Sequence, residues 1–367
     1  MRFAFAVTAL LGAAYAYLAA RLAGGTLAAV LLAAPFICIW IVPVMYWGSP
    51  RSREGLFARL AHHASYLSMA WVSFALVLTL ARDLALLATL PALLAGAHAW
   101  VLASGVPVVL GGSLAAMALG AAAAFRGPRV ETVDIALPDL HADLHGYRIV
   151  QISDLHVGPN IGRRYVERVV AQARALKPDL VALTGDIVDG PLARLAPEVA
   201  PLAELAREGK AFFVLGNHDC YAGADVWVAH FRSLGMRVLL NSHETLQHGA
   251  ARLLVAGLVD PAYRRLRPAI SLASAEAADF RLLLAHNPRL APLGAQAGFD
   301  LQLSGHTHAG QFFPWTLAVR LVHAPHVAGL SREGHMVVYV SAGTGTWGPP
   351  VRFGTKPELT LLRLVRA

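Results

Sequence analysis

The sequence predicts an all-α transmembrane module followed by a mixed α/β domain, two packed mixed sheets flanked by helices. Two observations lead there. Of the 367 residues, the first 127 carry only nine charged side chains: Arg2, Arg21, Arg51, Arg53, Glu54, Arg59, Arg82, Asp83 and Arg126. From Tyr147 onward, short β-type runs alternate with helix-type runs in a segment of ordinary charge.

Uncharged stretches run from Phe3 to Ala20, Leu22 to Pro50, Leu60 to Ala81 and Leu84 to Phe125. Each is long enough to cross the hydrocarbon core of a bilayer. A cleaved signal peptide accounts for one such stretch near the N-terminus but not for three more. A four-span reading places helices at about 3–22, 27–47, 62–82 and 106–125, leaving 84–104 to lie along the interface or to extend the third helix. The arginines at 2, 51, 53, 59, 126 and 129 then share one side and only Arg21 clearly faces the other. That bias predicts a cytoplasmic N-terminus and a cytoplasmic soluble domain. In a five-span alternative Leu84–Phe125 is broken near Gly105 and Pro107, and Arg82 and Asp83 form almost the whole turn between two helices. The net charge of +8 belongs mainly to the membrane module, so it argues for a bilayer rather than for nucleic acid. Two cysteines, Cys38 and Cys220, sit in different modules, and no disulfide is expected.

Residues 128–146 read as a linker and entry strand, and residues 147–367 as the soluble domain. Expected strands are Tyr147–Ser153, Asp179–Thr184, Ala211–Leu215, Arg252–Leu258, Phe280–Ala285, Asp300–Ser304, Met336–Ser341 and Glu358–Leu364. Several are apolar throughout, as in strands covered on both faces. Expected helices at about 162–176, 196–208 and 224–234 make the first half βαβ-like.

The chemistry sits where these runs end. Asp154-Leu-His156 follows the first, Gly185-Asp186-Ile-Val-Asp189 the second, and Gly216-Asn217-His218-Asp219 the third; His286 and Gly305-His306-Thr-His308 close two later ones. Loops at the carboxyl ends of neighbouring strands converge on one crevice, so five separated motifs can form one site. Carboxylate, amide oxygen and imidazole without thiolate are the donors of a borderline-hard metal site. A spacing of two on extended backbone puts both side chains of Asp-x-His and His-x-His on one face. Glycine before Asp186, Asn217 and His306 lets the chain turn sharply there. Taken singly, each motif is an ordinary turn or a packed histidine; their order, each closing a β-run, is what carries the reading.

These five motifs, over residues 147–365, resemble the calcineurin-like metallophosphoesterases, and with multiple N-terminal spans the chain is similar to their membrane-associated YkuE/YaeI-like branch. The resemblance implies a four-layer α/β/β/α sandwich and two divalent metal ions, manganese, iron or zinc. It implies that Asp154, His156, Asp186 and His308 hold one ion and that Asp186, Asn217, His286 and His306 hold the other, with Asp186 bridging. His218 would be the catalytic histidine that protonates the leaving oxygen, oriented by Asp219, while Asp189 supports the Asp186 loop. Ala309 departs from the glycine many relatives have there. The stretch Gly343-Thr-Gly345-Thr-Trp-Gly-Pro-Pro350 with Arg352 also resembles that branch, and its backbone amides and guanidinium are expected near a substrate phosphate.

The implied reaction is attack on phosphorus by a metal-activated water, with His218 as general acid. Four spans on a soluble-type phosphatase suggest an amphiphilic or lipid-linked phosphate ester met at the bilayer surface; cleavage of the diphosphate of UDP-2,3-diacylglucosamine in lipid A synthesis is the alternative. A non-enzyme alternative is a membrane sensor with a phosphoesterase-like binding domain.

Overall fold

A computed structural model describes residues 2–42, 55–207, 209–264 and 277–367. Two compact units emerge, one of residues 1–122 with 348–353, the other of residues 123–347 with 354–367. The six residues 348–353 group with the helical unit, far from it in sequence.

The helical unit contains α1 (Arg2–Leu22), α2 (Thr26–Ile39), α3 (Leu56–Ala88) and α4 (Ala95–Phe125). Three of these, α1, α3 and α4, are long and apolar enough to cross a membrane. The second expected span, 27–47, is met only by the 14-residue α2, and residues 43–54 lie outside the described residues. Segment 84–104 divides between the end of α3 and the start of α4, joined at Ala92–Leu94 by a turn of 3₁₀ helix. Because α4 runs unbroken through Gly105 and Pro107, the break that a fifth span needs is absent. Leu18, Phe36, Val72, Ala75 and Val109 pack together inside, whereas Phe5, Leu27 and Leu93 are 78%, 74% and 98% exposed, the pattern of helices whose solvent is lipid. Arg82 and Asp83 lie within α3 rather than in a turn; Asp83 accepts from Arg21 Nε at 2.8 Å and from the Tyr17 hydroxyl at 2.9 Å. This pair brings the C-terminal ends of α1 and α3 together.

The second unit holds two six-stranded mixed sheets. The first has β1 (Arg129–Leu137), β2 (Arg148–Ile152), β3 (Leu180–Leu183), β4 (Ala211–Phe213), β5 (Arg237–Val238) and β12 (Glu358–Arg366), in the order β1-β12-β2-β3-β4-β5. The other has β6 (Ser242–His248), β7 (Ala251–Gly257), β8 (Phe280–Leu284), β9 (Leu301–Ser304), β10 (Gly329–Glu333) and β11 (Met336–Val340), in the order β10-β11-β9-β8-β7-β6. Alternation along the strands sorts side chains into layers. Leu180 and Ala182 of β3 meet Leu282, Leu301 and Val337 of the second sheet, while Val181 and Leu183 meet helices. One such helix, α5 (Arg163–Ala175), buries Val166, Val169, Val170 and Ala173, an i, i+3, i+4, i+7 stripe. On the far side Leu254, Leu283 and Val338 cover Leu290, Ala291 and Phe299, of which Ala291 begins α9 (Ala291–Gln296) and the other two flank it. The result is the expected α/β/β/α layering.

Differences from the expected elements have local causes. The helix expected at 196–208 is α6 (Leu192–Val199), a 3₁₀ turn and α7 (Ala203–Ala206), broken where Pro201 offers no amide to continue the ladder. The helix expected at 224–234 begins earlier, as α8 (Asn217–Ser233), and is kinked at Gly223, whose φ is +113°. Strands β6 and β10 lie at the two edges of their sheet, half exposed and polar, and carry no apolar run to announce them.

Between the sheets, a buried polar network ties strand ends together. Gln151 Nε2 donates to Thr184 Oγ1 at 2.8 Å and to the Ser304 carbonyl at 2.9 Å, and Ser304 Oγ donates to the Ala285 carbonyl at 2.6 Å. The residues that follow these four positions are the ones singled out by the sequence.

Candidate metal centre

Strands β2, β3, β4, β8 and β9 end at the same edge, and the loops that leave them are laced together by backbone. The amides of Asp154 and His156 donate to the carbonyls of Gly185 and Asp186, each at 3.0 Å, and the His306 amide donates to Asp154 Oδ1 at 2.9 Å. Asp154, His156, Asp186, His306 and His308 all have φ between +50° and +73°, a region that side chains other than glycine seldom adopt. Backbone strain gathered on five site residues marks a place where geometry has been held for function. Ala309 shares this conformation at φ +52°, a cost that a glycine there would not bear.

The glycines before the motifs act through space. Gly185 combines a φ of +85° with a backbone so close to Gly216 and to the His286 ring that a Cβ would collide with both. A Cβ on Gly216 would meet the Asp186 carboxylate, and one on Gly305 would meet Ser153 Oγ and the Asp154 carboxylate.

Among the described residues the side chains form three groups of possible donors, one of them His156, Asp189 and His218, and the other two made of the expected ligands. Asp154, His156 and His308 offer donor atoms to one point, and Asp186, His286 and His306 to another. Within the first, His156 Nε2 and His308 Nε2 are 3.0 Å apart, and His308 Nε2 is 3.3 Å from Asp154 Oδ1. Within the second, His286 Nε2 lies 3.2 Å from Asp186 Oδ2, and His306 Nδ1 lies 2.8 Å from Asn217 Oδ1. Asp186 Oδ2 is also 3.8 Å from His156 Nε2, so one carboxylate oxygen reaches an imidazole of each group. His286 Nδ1 donates to the Thr184 carbonyl at 2.8 Å, which turns Nε2 toward the centre as an acceptor. That Nε2 is buried and has no aligned hydrogen-bond partner.

Electrostatics favour a cation here. Burial pushes the Asp154 carboxyl up, and the Asp186 charge pushes it further, against the neighbouring imidazoles. For Asp186 burial acts the same way, but His286, His218 and His156 outweigh it and hold the carboxyl well below the usual range. Burial would discharge His156, yet Asp189, Asp186 and Asp154 push it up to about 9; His286 is likewise raised by Asp186 and Asp154 despite burial. Burial and then the His286 charge lower His306 to about 3. Imidazole nitrogens facing one another amid carboxylates need positive charge between them, and divalent metal supplies it while leaving the rings neutral. The residues therefore fit the two-cation ligand set.

Two roles differ from expectation. Asp219 does not orient His218. Its carboxylate is fully buried and accepts from four amides, those of Asp186 and Gly216 at 2.8 Å, Ile187 at 2.9 Å and Val188 at 3.1 Å, which folds the Asp186 loop and starts α8. Burial and the Asp186 charge push it up to about 7 against those amides. Asp189 is the partner of the histidines instead: its Oδ1 is 2.8 Å from His218 Nδ1 and 2.9 Å from His156 Nδ1. Burial raises Asp189, and His156 and His218 outweigh burial and hold it well below its ordinary value. The roles were exchanged because Asp219 abuts His218 in sequence, whereas on a helix consecutive side chains diverge.

The Gly343 and Gly345 amides, expected near a substrate phosphate, are engaged within the protein. The Gly345 amide donates to the Asp154 carbonyl at 3.0 Å and the Gly343 amide to Ser341 Oγ at 3.1 Å. A Cβ on Gly345 would strike the Leu155 carbonyl, so this glycine makes room for the metal loop. Arg352 is 1% exposed and groups with the helical unit, its amide donating to the Gly120 carbonyl at 2.9 Å. His323 and Tyr221, which gave no sequence signal, and Trp347 of the Gly343–Pro350 stretch also join the site. His323 packs its ring 5.4 Å from that of His306, and Trp347 and Tyr221 each lie 5.7 Å from the His218 ring. Trp347 is pinned by Gln311, which accepts from its amide and donates to its carbonyl, both at 2.8 Å. His323 and Tyr221, as lone residues, carry no spacing to read.

Asp219→Asn is expected to cost roughly 2–4 kcal/mol, because a carboxamide can accept from only two of the four amides and turns its own N–H groups on the others. Thermal unfolding of the full chain checks this; an unchanged melting temperature would deny Asp219 its loop-forming role.

Residues 147–310 match the family model described as calcineurin-like phosphoesterase. The chain is 35% identical over 256 residues to a transmembrane protein with metallophosphoesterase domain from Danio rerio, a match that takes in 65% of this chain and 58% of that protein. It is 32% identical over 224 residues to an uncharacterized metallophosphoesterase of Aquifex aeolicus, covering 59% of this chain and 84% of that one. It is 29% identical over 233 residues to the uncharacterized metallophosphoesterase YkuE of Bacillus subtilis, covering 60% and 79%. The chain spans less than two thirds of the zebrafish relative's length. With the site's strand-end loops and the apolar N-terminal helices, these matches place the chain in the calcineurin-like phosphoesterase family, in its membrane-associated branch.

Proposed function

We propose that the chain hydrolyses a phosphate ester of an amphiphilic, membrane-associated substrate with water activated between two divalent cations. The position of Asp186, one oxygen within 3.2 Å of His286 and 3.8 Å of His156, carries the reading. In it Asp154, His156, Asp186 and His308 hold one cation, and Asp186, Asn217, His286 and His306 the other. Bound there, the cations lower the pKa of a water and neutralise charge on the phosphoryl oxygens.

The protein's own groups do the rest. The Thr184 carbonyl and Asp189 fix the tautomers of His286 and His156, so that each presents Nε2 as a donor of electrons. Asp189 also accepts a hydrogen bond from Nδ1–H of His218, which holds the protonated ring with its Nε2–H free to give a proton to the departing oxygen. Attachment to apolar helices supports a substrate held in a bilayer. The arginine bias, with Arg21 and Asp83 joining the ends of α1 and α3, supports a cytoplasmic catalytic unit.

Detergent-purified full chain is expected to hydrolyse an aryl phosphodiester only with divalent metal; UDP-2,3-diacylglucosamine serves as the second substrate arm. Asp186→Asn should lower turnover by at least about 100-fold and leave fewer than two metals per chain by elemental analysis, since one lost carboxylate weakens both sites. Full occupancy with near-normal turnover would remove Asp186 from the bridge. His218→Ala and Asp189→Asn should both slow substrates with poor leaving groups more than those with good ones, as loss of a general acid requires; equal slowing across leaving groups would count against proton donation. For orientation, reporter fusions at residue 367 should read cytoplasmic, and digestion of the catalytic unit in intact spheroplasts would reverse the assignment.

A further inference from the structure

The metal-site loop at His306–Gln311 runs directly into a short helix, α10 (Trp315–His323), that has no buried residue. At 3.6 residues per turn, Trp315, Leu317, Ala318, Leu321 and Val322 fall on one side and Thr316 and His323 on the other. The second side is the one that meets the site: Gly310 lies against the backbone of Thr316, and the His323 ring lies 5.4 Å from His306. The first side faces away, with Trp315 44%, Leu317 51%, Leu321 89% and Val322 56% exposed. A large apolar face on so short a helix, in a unit whose other helices bury theirs, needs an occupant.

Two facts on the chain say which. No acidic residue occurs from Gln311 to Arg332, Arg320 is exposed on α10 itself, and Arg289 Nη2 donates to the Val322 carbonyl at 2.9 Å, so the cations at this helix suit anionic headgroups. Only Arg126, Gly127 and Pro128 separate the end of α4 from the start of β1, so the catalytic unit is tied by three residues to a helix long and apolar enough to span a membrane. A Trp and three aliphatic residues over a basic rim are the composition of a helix that lies in the interface of a bilayer.

We infer that α10 docks on the lipid bilayer in which the chain's own helices are embedded, with Trp315, Leu317, Leu321 and Val322 as its apolar face. Docking there holds the mouth of the metal site, through His306 and His308 at the start of the same segment, at the depth of lipid headgroups. A phosphate ester borne by a lipid then reaches the site without leaving the membrane. This last consequence rests on the proposed function; the docking itself does not.

The test uses the full chain in vesicles of phosphatidylethanolamine and phosphatidylglycerol, with Cys38→Ala and Cys220→Ala and a nitroxide attached at Leu321→Cys. Gln172→Cys, on the exposed face of α5, provides the comparison. Collision rates with oxygen, which concentrates in lipid, and with a water-soluble nickel chelate report the surroundings without reference to activity. Docking predicts an oxygen-to-nickel ratio several-fold higher at 321 than at 172. A ratio equal to that at 172 would overturn it by placing α10 in water. Shielding of 321 from both reagents would overturn it by showing protein, such as a second copy of the chain, on that face.

Discussion

The Asp186 carboxylate is the point on which both halves of the catalytic unit depend. Its Oδ2 reaches an imidazole from each donor group, and its Oδ1 accepts the His218 amide at 2.7 Å. A buried anion placed among imidazoles is stable only when its own backbone is held and positive charge is supplied. The first need is met by Asp219, whose four amide contacts shape the loop around Asp186. The second is met by the histidines and, in the proposed function, by metal. Removal of either need would leave the crowded glycines and the left-handed backbone of the strand-end loops without a reason.

Below the site the architecture is arranged to keep those loops in register. The Gln151, Thr184 and Ser304 network crosses the interface between the sheets just before the ligand loops begin, so the positions of loops from different sheets are fixed to one another. Two sheets, each covered by helices on its outer face, give that network a dry surround in which hydrogen bonds gain strength. The cost is conformational: five site residues sit in a sparsely populated region of backbone space, and the buried core offsets it.

Much of this was legible in the residues. Apolar strands covered on both faces announced β2, β3, β4, β8, β9 and β11, and the motifs that close them brought their polar residues to one edge. Glycines 185, 216 and 305 were legible as sharp turns, but only Gly185 has a positive φ, and Gly216 and Gly305 are required because a Cβ there would strike neighbouring side chains. Edge strands β6 and β10 were not, because a half-exposed polar strand shows no apolar pattern. Asp189 and Asp219 were identified as site residues, but their roles depend on where helix α8 turns the chain, which spacing alone does not give. Nor did the sequence reveal that 348–353 group with the apolar helices, or that Gly343 and Gly345 turn their amides inward; glycine-rich loops read alike whether they hold phosphate or backbone. In the apolar module, uncharged length located α1, α3 and α4, and the division of 84–104 followed from helix geometry that hydropathy does not resolve.

Anomalous scattering from crystals of the full chain loaded with manganese tests the central claim most directly. Two peaks per chain are expected, one against Asp154, His156 and His308 and the other against Asn217, His286 and His306, with Asp186 touching both. A single peak, or two peaks of which one lies away from Asp186, would contradict a shared two-cation site.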